Sequence, residues 1–501
     1  MPPRDLSIPG LTPPIRRAAA AAAALAGCAA PAAAQSDPEA VRRLERQLRE
    51  FDMQYRVSIS PDQPISERLL VDYGGSLRFG FYTIDDAESK SHILYQYDAR
   101  AYLRLELDGA HRIFIRGKGQ YDNWERGDSF DGRGSRWNNP GLDRAFYQFD
   151  LRGLERAQTG VAPDYNFNAK IGKQYIVWGS GLTLSNTMWA GLLDAEYGTL
   201  GFTALGGVTA PRDVIDFDGS RPGFDSFVRR VYAGFQFEYR GLTEHRPYAF
   251  FLAQLDSNRD SQKFQNVAGL FPTTFGYDSY YLGLGSKGDL SAEWTYRAEF
   301  IKQFGVTFSN SFDAATALPV NQTRNAIDAY AGLLGLTYLF RDPGDTRLDF
   351  ELVGGSGDSD RLSANDTFGG NAPGTTDRAF NSLGYVNTGI ALAADVSNLL
   401  SFRGGISTTP FRQTQGVLGG LRTGIDGFLF TKIDRNAPLS IATTPGEQFL
   451  GGEIDLFLDW RLTSDLNATL RYGVFLPNTD AFPRALDNPR HFLYLGVTYA
   501  F

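Results

Sequence analysis

One pattern constrains the fold of this chain more than any other: apolar side chains recur at every second position. The final segment, HFLYLGVTYAF, shows it clearly, with Leu493, Leu495, Val497, Tyr499 and Phe501 in alternation. A period of two predicts a β-strand whose faces meet different surroundings. A last strand that ends in an aromatic residue is typical of bacterial outer-membrane barrels, whose assembly machinery reads that end. We therefore expect Tyr499 and Phe501 to form an assembly signal; a strand of a soluble sandwich is the alternative.

The opposite face of the predicted strands is charged. Between Tyr95 and Leu107 every second residue is apolar or aromatic, and the residues between them include Asp98, Arg100 and Arg104. Repeated charges on the buried face of a soluble protein would be strongly destabilising, whereas the wall of a water-filled lumen accommodates them. The pattern predicts an all-β fold, a transmembrane antiparallel β-barrel that occupies residues 68–501.

The connections between these strands alternate in length. Turn-forming residues mark short connections at Asp108-Gly109, Lys287-Gly288-Asp289, Asp342-Pro343-Gly344-Asp345, Ser397-Asn398 and Ser464-Asp465. Long polar loops are predicted at residues 125–141, 210–227, 257–277, 306–325, 357–383, 409–448 and 478–490. Short turns at one end and long loops at the other are typical of the periplasmic and extracellular ends of such barrels. We count about 18 strands, of which the sixth and seventh, near residues 195–208, are the least clearly marked.

Composition excludes other classes of protein. The mean hydropathy is -0.27, and the chain has no run of about 18 apolar residues that could cross a bilayer as a helix. Its net charge of -8 argues against nucleic-acid binding, which requires a basic surface. Cys28 is the only cysteine, so no disulfide can form within the chain.

Residues 1–34 are predicted to be a secretory signal peptide. Arg16-Arg17 ends a basic segment, residues 18–30 are mostly alanine, and Ala32-Ala33-Ala34 resembles a cleavage site. A Leu-Ala-Gly-Cys motif that ends at Cys28 overlaps this signal and would lead to lipidation of the cysteine. We favour cleavage after Ala34 without lipidation, because alanine-rich signals generate this motif readily and a barrel needs no lipid anchor.

Residues 35–67 are predicted to form a short periplasmic helix and a linker. Pro38 suits the first turn, and Val41, Leu44 and Leu48 recur at helical spacing. We expect this amphipathic helix to pack on the periplasmic end of the barrel. A coiled coil between protomers is the alternative, which so short a helix could barely stabilise.

Several segments resemble the alginate-export family of outer-membrane porins, whose best-known member is an 18-stranded barrel. The similarity rests on NAKIGKQYIVWGSG (residues 168–181), on MWAGLLDAEYG and on FLGGEIDLFLDWRLTSDLNATLRYGVFLPNTDAF (residues 449–482). The family has an early basic-Gln strand and, near its end, a Gly-Glu-(Ile/Leu)-Asp strand followed by a Tyr-Gly-x-Phe strand. This chain has Lys173 where arginine is commoner, and Leu476-Pro477-Asn478 where Pro-Gly is more frequent. The resemblance implies a barrel and, as one candidate solute, an exopolysaccharide such as alginate.

Alternation turns one set of basic side chains toward the lumen, and these are the candidate pore-lining residues. They are Arg78, Arg100, Arg104, Arg112, Arg116, Lys118, Arg144, Lys170, Arg297, Arg403 and Arg471. The alginate exporter that the chain resembles has a basic conduit for a polyanionic sugar, a task that suits arginine because its planar guanidinium binds carboxylates. The alternative is a lumen of mixed charge, in which acids neutralise these cations. The acids concerned are Asp98, Asp150, Glu293, Glu299, Glu453, Asp455 and Asp459.

We therefore expect an outer-membrane channel that passes anionic or polar solutes, with no cofactor, no metal and no catalytic residues. Its expected partners are outer-membrane lipid, the barrel-assembly machinery and the solute. A structural or adhesive surface barrel is the alternative. A barrel-embedded hydrolase is less favoured, because no Gly-x-Ser-x-Gly elbow occurs and only the four histidines could act as imidazole bases. These are His92, His111, His245 and His491.

One acidic loop contains Asp358, Asp360 and Asp366, which could be calcium ligands. The loop lacks the spacing of an EF-hand. A solvated acidic loop is the simpler interpretation.

Overall fold

The computed structural model describes residues 69–86, 90–107, 109–258, 263–266, 271–313, 315–316 and 318–501. The strands in these ranges are β1 Leu69–Asp85, β2 Ser91–Leu107, β3 His111–Trp124, β4 Arg136–Asp150, β5 Tyr165–Trp178, β6 Leu184–Tyr197, β7 Leu200–Thr209, β8 Arg230–Tyr239, β9 His245–Asp256, β10 Lys263–Asn266, β11 Phe271–Thr274, β12 Tyr277–Asp289, β13 Trp294–Phe308, β14 Arg324–Leu339, β15 Arg347–Gly355, β16 Leu399–Thr408, β17 Leu421–Lys432, β18 Phe449–Arg461, β19 Leu466–Pro477 and β20 Arg490–Ala500. One α-helix, α1, spans Leu151–Thr159, and short 3₁₀ turns lie at Glu125–Gly127, Val417–Gly420 and Thr479–Ala481.

Eighteen of these strands form one closed antiparallel sheet. Each strand pairs with its neighbours in the chain, except that β9 pairs directly with β12 and the small β10–β11 hairpin stands apart. Strand β1 pairs with β20, with Leu77 opposite Tyr499, and this pairing closes the ring. The predicted 18-stranded antiparallel barrel is confirmed.

The two faces of the barrel wall differ as the alternation predicts. Large apolar side chains on the outer face are open to the surroundings: Leu77 on β1 is 53% exposed, and Leu103 and Ile113 on the next two strands are also exposed. The residues between them, such as Asp98 and Arg100, are buried on the inner face. An outward apolar band around a polar interior is the surface that a lipid bilayer requires of a barrel.

The connections alternate between a short-turn end and a long-loop end, with two corrections. The predicted loop at 409–448 contains β17, so residues 409–420 connect strands at the short-turn end and residues 433–448 at the long-loop end. The sequence of β17, LRTGIDGFLFTK, reads as a loop because its two glycines and its charges interrupt the alternation. Ser397-Asn398, predicted to be a short turn, ends a long loop of residues 356–398.

Helix α1 at the short-turn end was not predicted. The carboxylate of Asp150 caps its first turn by accepting a hydrogen bond from the Gly153 N–H over 3.2 Å, and Gly160 ends it with a φ of 74°. The predicted signal peptide and the predicted helix within residues 35–67 lie outside the described residues. Among the residues that are described, no helix is long and apolar enough to span a membrane.

Candidate functional site

The loop of residues 356–398, here called the inserted loop, folds into the barrel. Its Asp377 bridges to Ile327 on β14, and its Leu383 bridges to Leu184 on β6. Further along, Ile390 packs in a buried cluster with residues of β1, β2 and β20. Because these strands lie on different parts of the wall, the loop crosses the interior and narrows it.

Apolar contacts hold the inserted loop against the wall. Phe380, Leu383 and Val386 belong to one buried cluster with side chains of β5, β6, β9 and β12–β15. Leu392 and Ala394 belong to a second, with residues of β17–β19. Burial of each large apolar side chain contributes about 1.5–3 kcal/mol relative to exposure. The loop is therefore a packed part of the lumen.

Glu453 on β18 anchors the middle of the inserted loop. Its carboxylate accepts hydrogen bonds from three consecutive backbone N–H groups, those of Ile390 (2.6 Å), Ala391 (2.7 Å) and Leu392 (2.8 Å). The residue is only 2% exposed. A buried carboxylate that receives several charge-assisted hydrogen bonds fixes both partners in position.

Buried ion pairs stabilise two loops. One pair lies within the inserted loop, and the others hold the neighbouring loop of residues 210–229. Arg361 donates to Asp377 over 2.6 Å within the inserted loop. Asp216 accepts from Arg221 (2.9 Å) and from Arg230 at the start of β8 (2.7 Å). Loss of one partner of such a buried pair is strongly destabilising, because it leaves an uncompensated charge.

Two carboxylates meet where these loops touch. The Ser220 N–H lies 3.1 Å from Asp218 and 3.2 Å from Asp366, and the Phe368 N–H donates to the Ser220 hydroxyl over 3.2 Å. Burial, and then the charge of Asp218, raise the pKa of Asp366 to about 6. Burial also raises the pKa of Asp377, although the nearby Arg361 opposes the shift. The contact between the loops thus contains a carboxyl group that titrates near neutral pH.

On the wall formed by β1–β3, three predicted cations converge on one acid. Asp98 lies 3.5 Å from Arg78, 2.9 Å from Arg100 and 3.3 Å from Lys118. Their register explains the arrangement, because Arg78 is opposite Asp98 on the next strand and Arg100 is opposite Lys118. The side chain of Asp98 is 2% exposed, so these interactions are poorly screened by water.

Three other predicted cations, on β2 and β3, each pair with one acid. Arg104 lies 2.9 Å from Asp72, Arg112 lies 3.1 Å from Glu106, and Arg116 contacts Asp143 over 2.5 Å. Lys170 on β5 lies over the ring of Phe146, 3.9 Å from its centroid. Arg144 is opposite Arg116 in the register of β3 and β4.

The remaining predicted cations lie on β13, β16 and β19. Arg297 pairs with Glu351, and Arg403 lies 3.5 Å from Asp426 and 4.0 Å from Glu351. Arg471 donates to Asp459 over 2.8 Å. Two of these arginines thus share Glu351, and the structure does not gather the predicted set into one basic cluster.

Of the acids predicted to neutralise the cations, Asp98 and Asp459 do so, whereas others have different partners. Asp150 caps α1, Glu453 holds the inserted loop, and Glu299 accepts from Ser180 and Tyr248. The acids that sequence reasoning missed are Asp72, Asp143, Glu351 and Asp426. Alternation could have found Asp72, which occupies an inward position opposite Arg104. Asp143 could not be found this way, because the pairing of β3 with β4 is irregular there.

The four histidines lie near the ends of strands. His111, His245 and His491 each contact a tyrosine hydroxyl, and His92 lies between Asp86 and Asp128. Within the described part of the chain, no group of three or more His, Cys, Asp or Glu side chains is placed to hold a metal ion. Asp366 is half-buried against Asp218, so the acidic loop is not the solvated segment that we expected.

Comparison with known proteins agrees with this architecture. Residues 161–493 match the sequence profile of a family described as alginate export. No curated protein sequence matches. Among solved structures, the chain is similar to OccAB4 of Acinetobacter baumannii, with 10% identity, 88% of this chain and 100% of that chain covered, and a TM-score of 0.52. It is also similar to OccAB1 of the same species, with 13% identity, coverage of 88% and 99%, and a TM-score of 0.51.

A third similar structure is Pseudomonas aeruginosa OpdK, solved with vanillate, with 14% identity, coverage of 87% and 100%, and a TM-score of 0.50. At these identities the structural similarity concerns the barrel fold. The family profile, which spans most of the chain, carries the assignment. The chain belongs to the alginate export family, and it is a porin of the bacterial outer membrane.

Proposed function

We propose that this porin favours anionic solutes, and that an acidic polysaccharide of uronate units, such as alginate, is the solute class that suits it best. The observation that carries the proposal is the convergence of Arg78, Arg100 and Lys118 on the single carboxylate of Asp98. The group is compact, because the three cations lie within 3.5 Å of the same buried acid, and Asp143 acts on Arg100 as well. An anion that passes this part of the wall gains their attraction.

The inserted loop supports the proposal, because it narrows the interior. A narrow passage brings a solute close to the wall, where water and salt screen the charges less than in bulk solution. Arginine adds shape to charge, since its guanidinium can bind a carboxylate through two parallel hydrogen bonds. Membership in a family of export channels indicates a non-enzymatic channel, and the proposal assigns no catalytic step to the chain.

The packing of the inserted loop across the lumen also favours a second candidate, a structural or adhesive surface barrel that conducts little. Measurement of the current through single protein molecules in a planar bilayer distinguishes the channel from the structural barrel. For a channel, the uronate trisaccharide trigalacturonate should interrupt the current at lower concentrations than the neutral trisaccharide maltotriose. Equal effects of the two sugars would contradict the proposed preference, and the absence of current would favour the structural candidate.

A further inference from the structure

An aromatic row lies on the inner face of β2, β3 and β4. Its members are Tyr102, Phe114 and Phe146, which occupy the inward-facing positions of their strands. The ring centroids of Tyr102 and Phe114 are 5.9 Å apart with their planes 20° from parallel, and those of Phe114 and Phe146 are 5.3 Å apart at 26°. Three near-parallel rings on adjacent strands form a continuous apolar strip on the wall.

Cations flank this strip. Arg116, which pairs with Asp143, is opposite Tyr102 in the register of β2 and β3, and Arg104, which pairs with Asp72, is opposite Phe114. At the other end of the row, the Lys170 ammonium lies 3.9 Å from the centroid of Phe146. The three rings themselves are only partly buried. The wall therefore presents apolar ring surface beside guanidinium groups held in ion pairs and beside the Lys170 ammonium, and a carboxylate of a solute would compete with Asp72 and Asp143 for these cations.

This combination suits one kind of solute better than its alternatives. The chair of a pyranose has an apolar C–H face that packs against aromatic surface, because the electron-rich ring attracts the C–H groups and water is displaced. A carboxylate on the same sugar can pair with an adjacent guanidinium. A neutral sugar would bind only to the aromatic rings, and an acyclic carboxylate would bind only to the cations.

We propose that Tyr102, Phe114 and Phe146 form a stacking site for the pyranose rings of acidic sugars as they move along the lumen. The site rests on the proposed function and deepens it, since it makes recognition depend on ring shape as well as on charge. It also explains why aromatic side chains stand in a charged part of the interior. Three rings in a row allow a chain of sugars to advance from one ring to the next.

A polar groove continues the site toward the short-turn end. It has a volume of about 210 Å³, and its walls include Asn168, Asp194 and Thr203, together with Glu196 and Glu238, which both pair with Arg240. Asn168 is the next inward position after Lys170 on β5, and it is opposite Asp194 on β6. Amide and hydroxyl groups can donate and accept hydrogen bonds, and carboxylates accept them, so the groove suits sugar hydroxyls.

The test is the block of single-channel current by trigalacturonate in the full-length porin. The double variant Phe114→Leu/Phe146→Leu retains apolar volume but removes the flat rings. We expect it to need about five- to tenfold more trigalacturonate for the same block. The block by tricarballylate, an acyclic tricarboxylate, should be unchanged. The matched control is Phe457→Leu on β18, whose ring lies 5.3 Å from the Arg471 guanidinium but outside the row.

Two further measurements keep the outcome interpretable. The double variant Phe114→Tyr/Phe146→Tyr retains the rings, so trigalacturonate should block its current as it blocks that of the wild type. A shift in electrophoretic mobility on heating checks that each variant is folded. Trigalacturonate that fails to block the wild type, or blocks the leucine double variant equally well, would overturn the stacking site. A loss as large in Phe457→Leu would overturn it too. A different measurement tests the proposed function itself. If that function is wrong, the reversal potential of the wild-type channel will show no preference for anions.

Discussion

The N–H of Ile390 donates a hydrogen bond to the carboxylate of Glu453 over 2.6 Å, and this contact joins the inserted loop to the barrel wall. The next two N–H groups of the loop point to the same carboxylate. Glu453 therefore positions the middle of the loop, together with the apolar clusters that hold the rest of it. The width of the passage depends on the position of the loop.

Glu453→Ala should loosen the inserted loop. The substitution leaves three buried N–H groups without their acceptor, and hydrogen bonds to a charged group contribute about 1.5–3 kcal/mol each. We expect larger and noisier single-channel currents, measured in planar bilayers. Glu293→Gln is the matched control, because Glu293 is an exposed acid beside a turn at the short-turn end. A quiet channel of wild-type conductance in Glu453→Ala would contradict the role of the anchor.

Deletion of Phe501 should impair assembly far more than it alters conductance. The N–H of Phe501 donates to the Gly75 carbonyl over 3.0 Å, and the Gly75 N–H donates back over 2.8 Å, so the residue completes the seam between β1 and β20. A Cβ atom at Gly75 would lie 2.6 Å from the Arg100 carbonyl oxygen and 2.7 Å from the Phe501 ring, so Gly75→Ala should disturb the contacts of β1 with both β2 and Phe501. The measurement is the yield of heat-modifiable, folded protein in outer membranes. Phe501→Tyr should assemble normally, and normal yields from the deletion would refute the prediction.

The contact between the two loops should strengthen as the pH falls. The pKa of Asp366 is raised to about 6 by burial and by Asp218, so the folded protein holds this proton more tightly than the unfolded chain does. Stability from this group is therefore gained as the pH falls through about 6, and it is lost again as the pH rises. The protection factors for hydrogen exchange at residues 216–226 and 363–369, which correct for the intrinsic effect of pH on the exchange rate, should be higher at about pH 5 than at about pH 7.5.

Asp366→Asn supplies the control for this pH dependence. The amide resembles the protonated acid, so the variant should show high protection factors at both pH values. Protection factors that depend on pH to the same degree in Asp366→Asn would show that another group is responsible.

Alternation and loop length were sufficient to predict the barrel, because both are local properties of the sequence. They failed at β17, where Gly424 and Gly427 break the apolar pattern and the strand is recognised by its pairing with β16 and β18. They also failed at α1, a short helix of nine residues whose start depends on the Asp150 cap.

The interior could be predicted only in part. The inward direction of Arg78 and Arg100 follows from the period of two, but their convergence on Asp98 depends on the register of three strands. The meeting of Ser220 with Asp366 depends on the packing of two loops that are far apart in the sequence. Neither loop carries a local signal that identifies its partner.

The reversal potential of the wild-type channel in a KCl gradient tests the central claim most directly, because it reports which ion the lumen favours. We predict a potential displaced toward the equilibrium potential of chloride. The displacement should shrink at high salt as screening increases, and it should shrink in Arg78→Gln/Lys118→Gln, which removes two of the three cations around Asp98. A potential displaced toward that of potassium, or one that the double substitution leaves unchanged, would contradict the account.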